Sequence, residues 1–332
     1  MPIKTANTES IREAARILKE GGLVALPTET VYGLGANALD GKACAKIFAA
    51  KGRPSFNPLI VHVPDTAEAE RYAILDDRAK TIAAAFWPGP LTMILPRRPD
   101  CAISELCSAG LPTLALRVPA HKTAQALLKA AGVPIAAPSA NKSGSVSPTT
   151  PLIVAESLGG AVDMILADGP CAVGLESTVI DLSAERPVIL RPGAVTAEQI
   201  SDCLGAPVGY DTGTHERPRS PGQMLRHYAP KRPVRLRAVD LEKGEALLAF
   251  GSVKFMGVRG GGAAKDLPGS AFRNLSESGD LHEAAANLFR MLNDLDRPEH
   301  AGIAVMDIPE TGIGVAINDR LRRAAEGSRT SG

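Results

Sequence analysis

The chain has little of what would narrow its chemistry at once. Aromatic residues make up 4% of its 332 positions and tryptophan occurs once, at Trp87. That is too few for a platform that stacks nucleobases along a strand. The net charge is +1, which removes a global electrostatic case for nucleic acid or an anionic membrane. No apolar run approaches the ~18 residues of a membrane span, and the start, Met1-Pro2-Ile3-Lys4, has no signal-peptide core. The five cysteines (Cys44, Cys101, Cys107, Cys171 and Cys203) are odd in number and never spaced as CxxC. They read as reduced, mostly packed thiols, not as a disulfide framework or a zinc site. GxxxxGK[ST], HExxH, GxSxG and the kinase signatures are missing. Gly33-Leu34-Gly35-Ala36-Asn37-Ala38 has the GxGxxA form of a dinucleotide loop. It stands well beyond its strand, however, and no acid ends a following strand, as that site requires. At 45% hydrophobic and 22% charged, what remains is a soluble, cytoplasmic protein of ordinary composition.

A length of 332 residues exceeds what one core usually organises, so two domains of unequal size are expected. Residues 8–20 have the spacing of an amphipathic helix, with Ile11, Ala14, Ala15 and Leu18 on one face and Gly21 as its stop. Short apolar strands are expected at 23–26, 59–63, 91–95, 113–118, 134–137, 164–167, 178–182 and 188–191. Helices are expected from Asp40 to about Ala50, from Asp76 or Asp77 to Trp87, near 121–131, and from Thr196 to Leu204. Some neighbouring strands are too close for a crossover helix, which predicts a mixed parallel and antiparallel sheet with flanking helices. From Gly205 to Pro233 proline, glycine, serine and charge take over, and between 215 and 237 seven Arg/Lys face only Glu216. That stretch reads as a linker. A smaller Rossmann-like α/β unit follows: a strand at 246–250, a glycine-rich turn at 260–262, and a helix from Asp280 with Glu283 at capping-box spacing. A strand at 302–306 and a helix closing near Arg323 complete it. The expected division is 1–205, a linker or lid at 206–233, 234–326, and a tail at 327–332.

Two tripeptides carry most of the chemical information. Lys51-Gly52-Arg53 precedes Pro54, and Ser139-Ala140-Asn141 follows Pro138. If the fold brings them together, the first offers two cations and the second a hydroxyl and a carboxamide, a kit that grips a polyanion. Arg117 and Arg191 each end an apolar strand, where a guanidinium costs several kcal/mol to desolvate unless it meets an anion. An internal salt bridge is the plain explanation of one such arginine. Two of them beside Lys51 and Arg53 favour a concave anion site at strand ends. His62 lies in an apolar strand, as a core histidine would. Thr28, Glu29 and Thr30 suit a turn, and Ser177 could equally be a cap or a ligand contact. No carboxylate cluster suggests a metal cage, so any Mg²⁺ would arrive on substrate phosphates.

Taken together, Pro27-Thr-Glu-Thr-Val-Tyr-Gly-Leu-Gly35, Lys51-Gly-Arg-Pro54, Asn57-Pro-Leu59, the Arg117 strand, Pro138-Ser-Ala-Asn141-Lys-Ser-Gly144 and Glu176-Ser-Thr-Val-Ile180 resemble the YrdC-like family. Ser220-Pro-Gly-Gln-Met-Leu-Arg-His-Tyr-Ala-Pro230 and Asn318-Asp-Arg-Leu-Arg-Arg323 resemble its two-domain form, with Gln223 inserted where the family more often reads Ser-Pro-Gly-Met. The resemblance implies a nucleotidyltransferase of tRNA processing that makes L-threonylcarbamoyladenylate from L-threonine, bicarbonate and ATP, releasing pyrophosphate. A tRNA threonylcarbamoyl transferase complex would then collect the product. It also implies roles. Lys51, Arg53, Ser139 and Asn141 would form the reacting centre. ATP would be held by Arg53, Asn57, Thr113, Ser139, Ser147 and Arg191, with Tyr228 closing as a lid. Threonine would be held by Thr30, His62, Arg117, the Ala137 backbone and Ser177. The competing expectation is an RNA-binding module without nucleotidyl transfer, built on the basic 217–237 stretch, with direct tRNA binding as its signature. Carbamoyl transfer in hydrogenase maturation is a third reading, but its larger proteins carry acylphosphatase-like and zinc-binding Cys segments that are missing here.

Overall fold

The computed structural model describes residues 2–211, 228–253, 257–259, 263–264 and 267–329. They divide into two compact units. The first comprises Met1–Ser143, Pro148–Ala172 and the described part of Glu176–Met224. The second gathers Gly144–Ser147, Val173–Leu175 and the described part of Leu225–Gly332.

The first unit runs β1 (Ile3–Thr5), α1 (Thr8–Lys19), β2 (Val24–Leu26), β3 (Gly33–Asn37), α2 (Gly41–Lys51), β4 (Ile60–His62), α3 (Thr66–Glu70), α4 (Asp77–Phe86), β5 (Leu91–Pro96), α5 (Glu105–Ser108) and β6 (Thr113–Arg117). It continues with α6 (Lys122–Ala131), β7 (Ile135–Ala136), α7 (Pro151–Leu158), a 3-10 turn at Gly159–Ala161, β8 (Met164–Ala167), β9 (Thr178–Asp181), β10 (Val188–Arg191), α8 (Ala197–Leu204) and β11 (Gly209–Tyr210). The eleven strands form one sheet in the order β1-β8-β2-β3-β7-β4-β6-β5-β9-β10-β11. The sheet is mixed, as expected: β4 runs parallel to β6 and β5 parallel to β9, while β5/β6, β4/β7 and β9/β10 are antiparallel. The expected caps hold. Asp40, Asp76 and Thr196 each accept backbone N–H bonds at the starts of α2, α4 and α8, satisfying donors a helix cannot pair internally.

Period-two alternation separates the two faces of this sheet. Val61, Met93, Leu95, Leu114, Leu116, Ile180 and Ile189 join the main core with α2 and α4. On the opposite face Val24, Leu26, Ile135, Ala137, Met164 and Leu166 pack under α1 and α6. Farther along that second face Ile60, Ile94, Ala115, Val179 and Leu190 form a separate small apolar patch.

β3 is not among the expected strands. Gly33–Asn37 pairs with β2 and β7, and a Cβ on Gly35 would stand 2.8 Å from Leu26 Cδ2 and 2.9 Å from Ile135 Cγ2. Its glycines serve close packing between strands.

The second unit contains β12 (Val234–Arg235), β13 (Asp240–Leu241), β14 (Glu245–Ala249), β15 (Gly257–Val258), β16 (Phe272–Asn274), α9 (Leu281–Leu295), β17 (Gly302–Val305) and α10 (Gly314–Arg329). Its four-stranded sheet, ordered β12-β17-β14-β16, is parallel throughout, the Rossmann-like layer expected. Asp280 caps α9 through the N–H groups of His282 and Glu283, but Glu283 turns to Ser276 Oγ instead of completing a capping box. The closing helix continues to Arg329, beyond the expected end. The turn at 260–262 and the segment 212–227, with Gln223, lie outside the described residues.

Candidate active site

Strand register divides the expected site residues into two groups. β4 and β6 run in parallel with Ile60 opposite Ala115 and His62 opposite Arg117. β7 runs against β4, so Ala137 N donates to Ile60 O and the chain after it emerges beside the start of β4. One sheet edge therefore gathers Asn57, Thr113 and Ser139. The other gathers His62, Arg117, Ser177 at the start of β9 and Arg191 at the end of β10. Thr113 and Arg117 share a face at the two ends of one strand, about 13 Å apart at ~3.3 Å per residue. The apolar patch of Ile60, Ala115, Ile94, Val179 and Leu190 lies between them.

At the first edge the two tripeptides meet. Gly52, at φ 61, ends α2 in the left-handed region and turns the chain back. Lys51 Nζ then donates to Ser139 O and Asn141 O, both at 2.5 Å, and to Asn141 Oδ1 at 3.4 Å. In return, Ser143 N donates to Lys51 O and Lys142 Nζ to Ala50 O, both at 2.8 Å, sealing the helix end. Arg53 donates through Nε to Asn57 O at 3.2 Å and through Nη2 to Pro58 O at 2.8 Å, which holds its own loop closed. Burial pushes the pKa of Lys51 well below its ordinary value, and the neighbouring Arg53 and Lys142 charges push it further, against Glu176. Three acceptors around one nitrogen nevertheless match the three N–H bonds of an ammonium, not an amine. Among the described residues, Lys51, Arg53 and Lys142 cluster here with Glu176, an arrangement suited to an anion.

The second edge is built on Arg117, 4% exposed. Its Nε donates to Gly89 O at 3.2 Å, Nη1 to Thr30 Oγ1 at 2.8 Å and Nη2 to Glu29 Oε1 at 2.6 Å. The plain reading of this arginine, an internal ion pair, is thus partly realised. Thr28 Oγ1 donates to Val31 O, so the Thr30 hydroxyl gives its proton to Thr28 and keeps its oxygen for Arg117. The turn formed by these threonines carries the 27–32 loop back over the sheet. Beside it, His62 is 3% exposed and its Nδ1 has no hydrogen-bond partner among the described residues. Burial, then the Arg117 charge, pushes its pKa down to about 3, so the ring is neutral. Ser177 Oγ bonds Thr92 Oγ1 at 2.7 Å, and Arg191 donates to Ser177 O at 3.0 Å and to Ser177 Oγ at 3.1 Å. Gly193 is required there, because a Cβ would stand 2.3 Å from Thr178 N.

Ser147 and Tyr228 belong to the second unit. Tyr228 is fully buried at φ 64, stacked on Phe289 at 5.4 Å with the Arg320 guanidinium 5.4 Å from its ring. Glu29, Thr92 and Lys142 were missed by sequence reasoning. Glu29 stood in the quoted 27–35 motif, and only its contact with Arg117 distinguishes it from a turn residue. A separate cleft beside Phe56, Ser104 and Leu106 has Glu105 and no cation in its lining, which does not suit a polyanion. The cysteines are free, with Cys44 Sγ and Cys107 Sγ 3.4 Å apart in the core. Among the described residues no His/Cys/Asp/Glu cluster could hold a metal, and no helix is long and apolar enough to cross a membrane.

Comparison with known proteins identifies the family and the fold. Residues 16–193 match the family that joins Sua5, YciO and YrdC, described as "Telomere recombination". Residues 195–326 match "Threonylcarbamoyl-AMP synthase, C-terminal domain". The chain is 41% identical over 332 residues to the threonylcarbamoyl-AMP synthase of Bacillus subtilis, covering 97% of this chain and 95% of that one. It is 40% identical over 324 residues to the Pyrococcus abyssi enzyme of the same name, covering 95% and 94%. The crystal structure of P. abyssi Sua5 complexed with L-threonine superposes with a TM-score of 0.87 at 36% identity, covering 99% of this chain and 98% of the other.

Proposed function

The chain belongs to the Sua5/YrdC family, and we propose on that premise that it is a threonylcarbamoyl-AMP synthase. It joins L-threonine, bicarbonate and ATP and releases pyrophosphate, for the threonylcarbamoyladenosine modification of tRNA. The observation that carries this reading is the separation of two polar groups across one apolar floor, a cation-rich edge at Lys51, Arg53 and Lys142 and an edge built on the buried Arg117.

The reaction balances in two steps. The threonine ammonium and bicarbonate give N-carboxythreonine, water and a proton. One oxygen of that carboxylate then attacks the α-phosphorus of ATP, and pyrophosphate leaves. Neither step needs a protein nucleophile, so positioning and electrostatic stabilisation are what the chain must supply. Arg53, Asn57, Ser139 and Thr113 hold the nucleotide at the first edge. Lys51 acts first on the protein: it fixes the Ser139–Asn141 loop through carbonyl oxygens and lends that edge its charge. Asn141 completes the polar rim, and Ser147 contributes to nucleotide binding. Arg117 takes the threonine carboxylate, while Thr30, His62, the Ala137 backbone and Ser177 line the amino acid. A neutral His62 orients the amine or carbamate through its Nδ1 and supplies no positive charge. Arg191, bonded to Ser177, ties the amino-acid side to the nucleotide. Mg²⁺ comes as part of the substrate, on the phosphates of ATP. Tyr228 acts as a lid, which requires it to leave its Phe289 and Arg320 contacts. The product passes to a tRNA threonylcarbamoyl transferase complex.

The test is pyrophosphate release by the purified chain with ATP and Mg²⁺, omitting L-threonine or bicarbonate in turn. Release that needs both is the expected result. Release that persists in carefully bicarbonate-depleted samples overturns the carbamate route. No release under any condition, with tRNA still bound in a steeply salt-dependent way, would instead support the RNA-binding alternative.

A further inference from the structure

One acid at the amino-acid edge has no role in the scheme above. Glu29 spends Oε1 on Arg117, while Oε2 is buried and has no hydrogen-bond partner among the described residues. The side chain is 12% exposed. Burial would raise its pKa, but the Arg117 charge and hydrogen bond, with the backbone N–H dipoles of Glu29 and Ala120, hold it below the ordinary range. It is therefore an anion whose Oε2 makes no close hydrogen bond among the described residues, although the backbone N–H groups of Glu29 and Ala120 lie near the carboxylate, and it can still take a donor. Arg117 is complementary. Three of its five N–H bonds go to Gly89 O, Thr30 Oγ1 and Glu29 Oε1, leaving one on each terminal nitrogen. His62, opposite Arg117 in register, is uncharged. The site thus sets the Arg117 cation directly against the Glu29 anion, with Arg191 farther along the same edge on Ser177. An α-amino acid near neutral pH carries the matching pair, a carboxylate and an ammonium on one carbon.

We propose that Glu29 Oε2 accepts the α-ammonium of L-threonine while Arg117 takes its carboxylate, so that the 27–32 loop selects an amino-acid zwitterion. This rests on the reading in which Arg117 binds the substrate carboxylate. The charge pairing lasts only until the nitrogen loses its proton, so Glu29 orients the nitrogen for bicarbonate without storing the proton. A carboxylate held below its ordinary range by Arg117 is a poor store, and the released proton leaves to solvent. The same pairing explains why a buried acid can stand against the arginine without closing the site. It engages one terminal nitrogen and leaves a donor on each.

The test compares two ligands by calorimetry on the full chain: L-threonine and 3-hydroxybutanoate, which is threonine without its amine. Wild type is expected to bind threonine at least 10-fold more tightly. Glu29→Gln should weaken threonine at least 10-fold and leave 3-hydroxybutanoate within about 3-fold of wild type. If Glu29→Gln does not fold, Glu29→Asp keeps the charge, shortens the reach and should cost threonine several-fold, again sparing the other ligand. An equal loss for both ligands overturns the proposal, because Glu29 would then act only by holding Arg117. No change for either, or equal binding of both by wild type, also overturns it. Wild type that binds neither ligand defeats the underlying assignment of Arg117 instead, which keeps the two failures distinct.

Discussion

Lys51 offers a sharp test, because the two jobs it could do predict opposite signs for the ligand-free protein. A lysine kept only for phosphate would be a liability when the site is empty, buried as it is beside Arg53 and Lys142. Lys51→Met would relieve that burial and repulsion, worth several kcal/mol by general experience, and the protein would become more stable. The geometry argues otherwise. The ammonium makes three hydrogen bonds to oxygens of the Ser139–Asn141 loop, each worth ~1.5–3 kcal/mol when the donor is charged, less for the 3.4 Å one. Methionine leaves those oxygens without that donor and frees the loop. Setting the loss against the relief gives a net destabilisation of about 2 kcal/mol, or roughly 1 M in urea midpoint at a slope near 2 kcal/mol per M. Trp87 is the sole tryptophan; it lies buried in the first unit with Nε1 donating to Leu91 O. Its fluorescence during urea unfolding reports on this unit. An unchanged or raised midpoint for Lys51→Met without ligand would refute the loop-holding role.

Three further outcomes are expected. Arg117→Ala should raise the threonine KM about 10–100-fold, the worth of a charged carboxylate contact, with ATP binding little changed; an unchanged KM would remove the arginine from the amino-acid site. His62 should make the fold acid-sensitive. The unfolded chain takes up a proton near pH 6.5 whereas the folded ring waits until about 3, so the unfolded state binds more protons in that window. Stability is then lost as pH falls below 6.5, by at most ~1.4 kcal/mol per unit. Urea midpoints measured at pH 7 and pH 5 should show this loss in wild type and much less of it in His62→Asn; an equal loss in both would show that another group is responsible. Gly193→Ala should cost about 3 kcal/mol, the upper end for overpacking, since its Cβ would sit 2.3 Å from a backbone nitrogen that cannot yield without moving Ser177. A midpoint within the error of wild type would mean that the turn relaxes easily.

Much of the fold was legible because its signals are local. β8 and β10 fell where apolar runs bounded by turn residues placed them, and Asp40, Asp76 and Thr196 capped the helices they were expected to start. What escaped depends on partners distant in sequence. β1 is three residues long and is a strand only because it lies beside β8, some 160 positions away. β3 is rich in glycine, which local propensity disfavours in strands; packing against β2 and β7 overrides it. Glu283 had the right spacing for a capping box and lost to a nearer alternative, because Ser276 arrives from another turn.

The site was legible in its residue types and illegible in its directions. Sequence alone shows that Lys51 and Arg53 lie two apart beside a proline, but not that the ammonium points at backbone carbonyls and holds a loop. Nor does it show that Thr113 and Arg117, four residues apart on one strand, belong to opposite ends of the site. That follows from the register of β4, β6 and β7. Glu29 is the clearest case. Between two threonines in a proline-started turn, an acid is unremarkable, and nothing local raises it above turn chemistry. It acquires meaning once a loop crossing the sheet sets it against an arginine 88 positions away and leaves one oxygen buried without a donor.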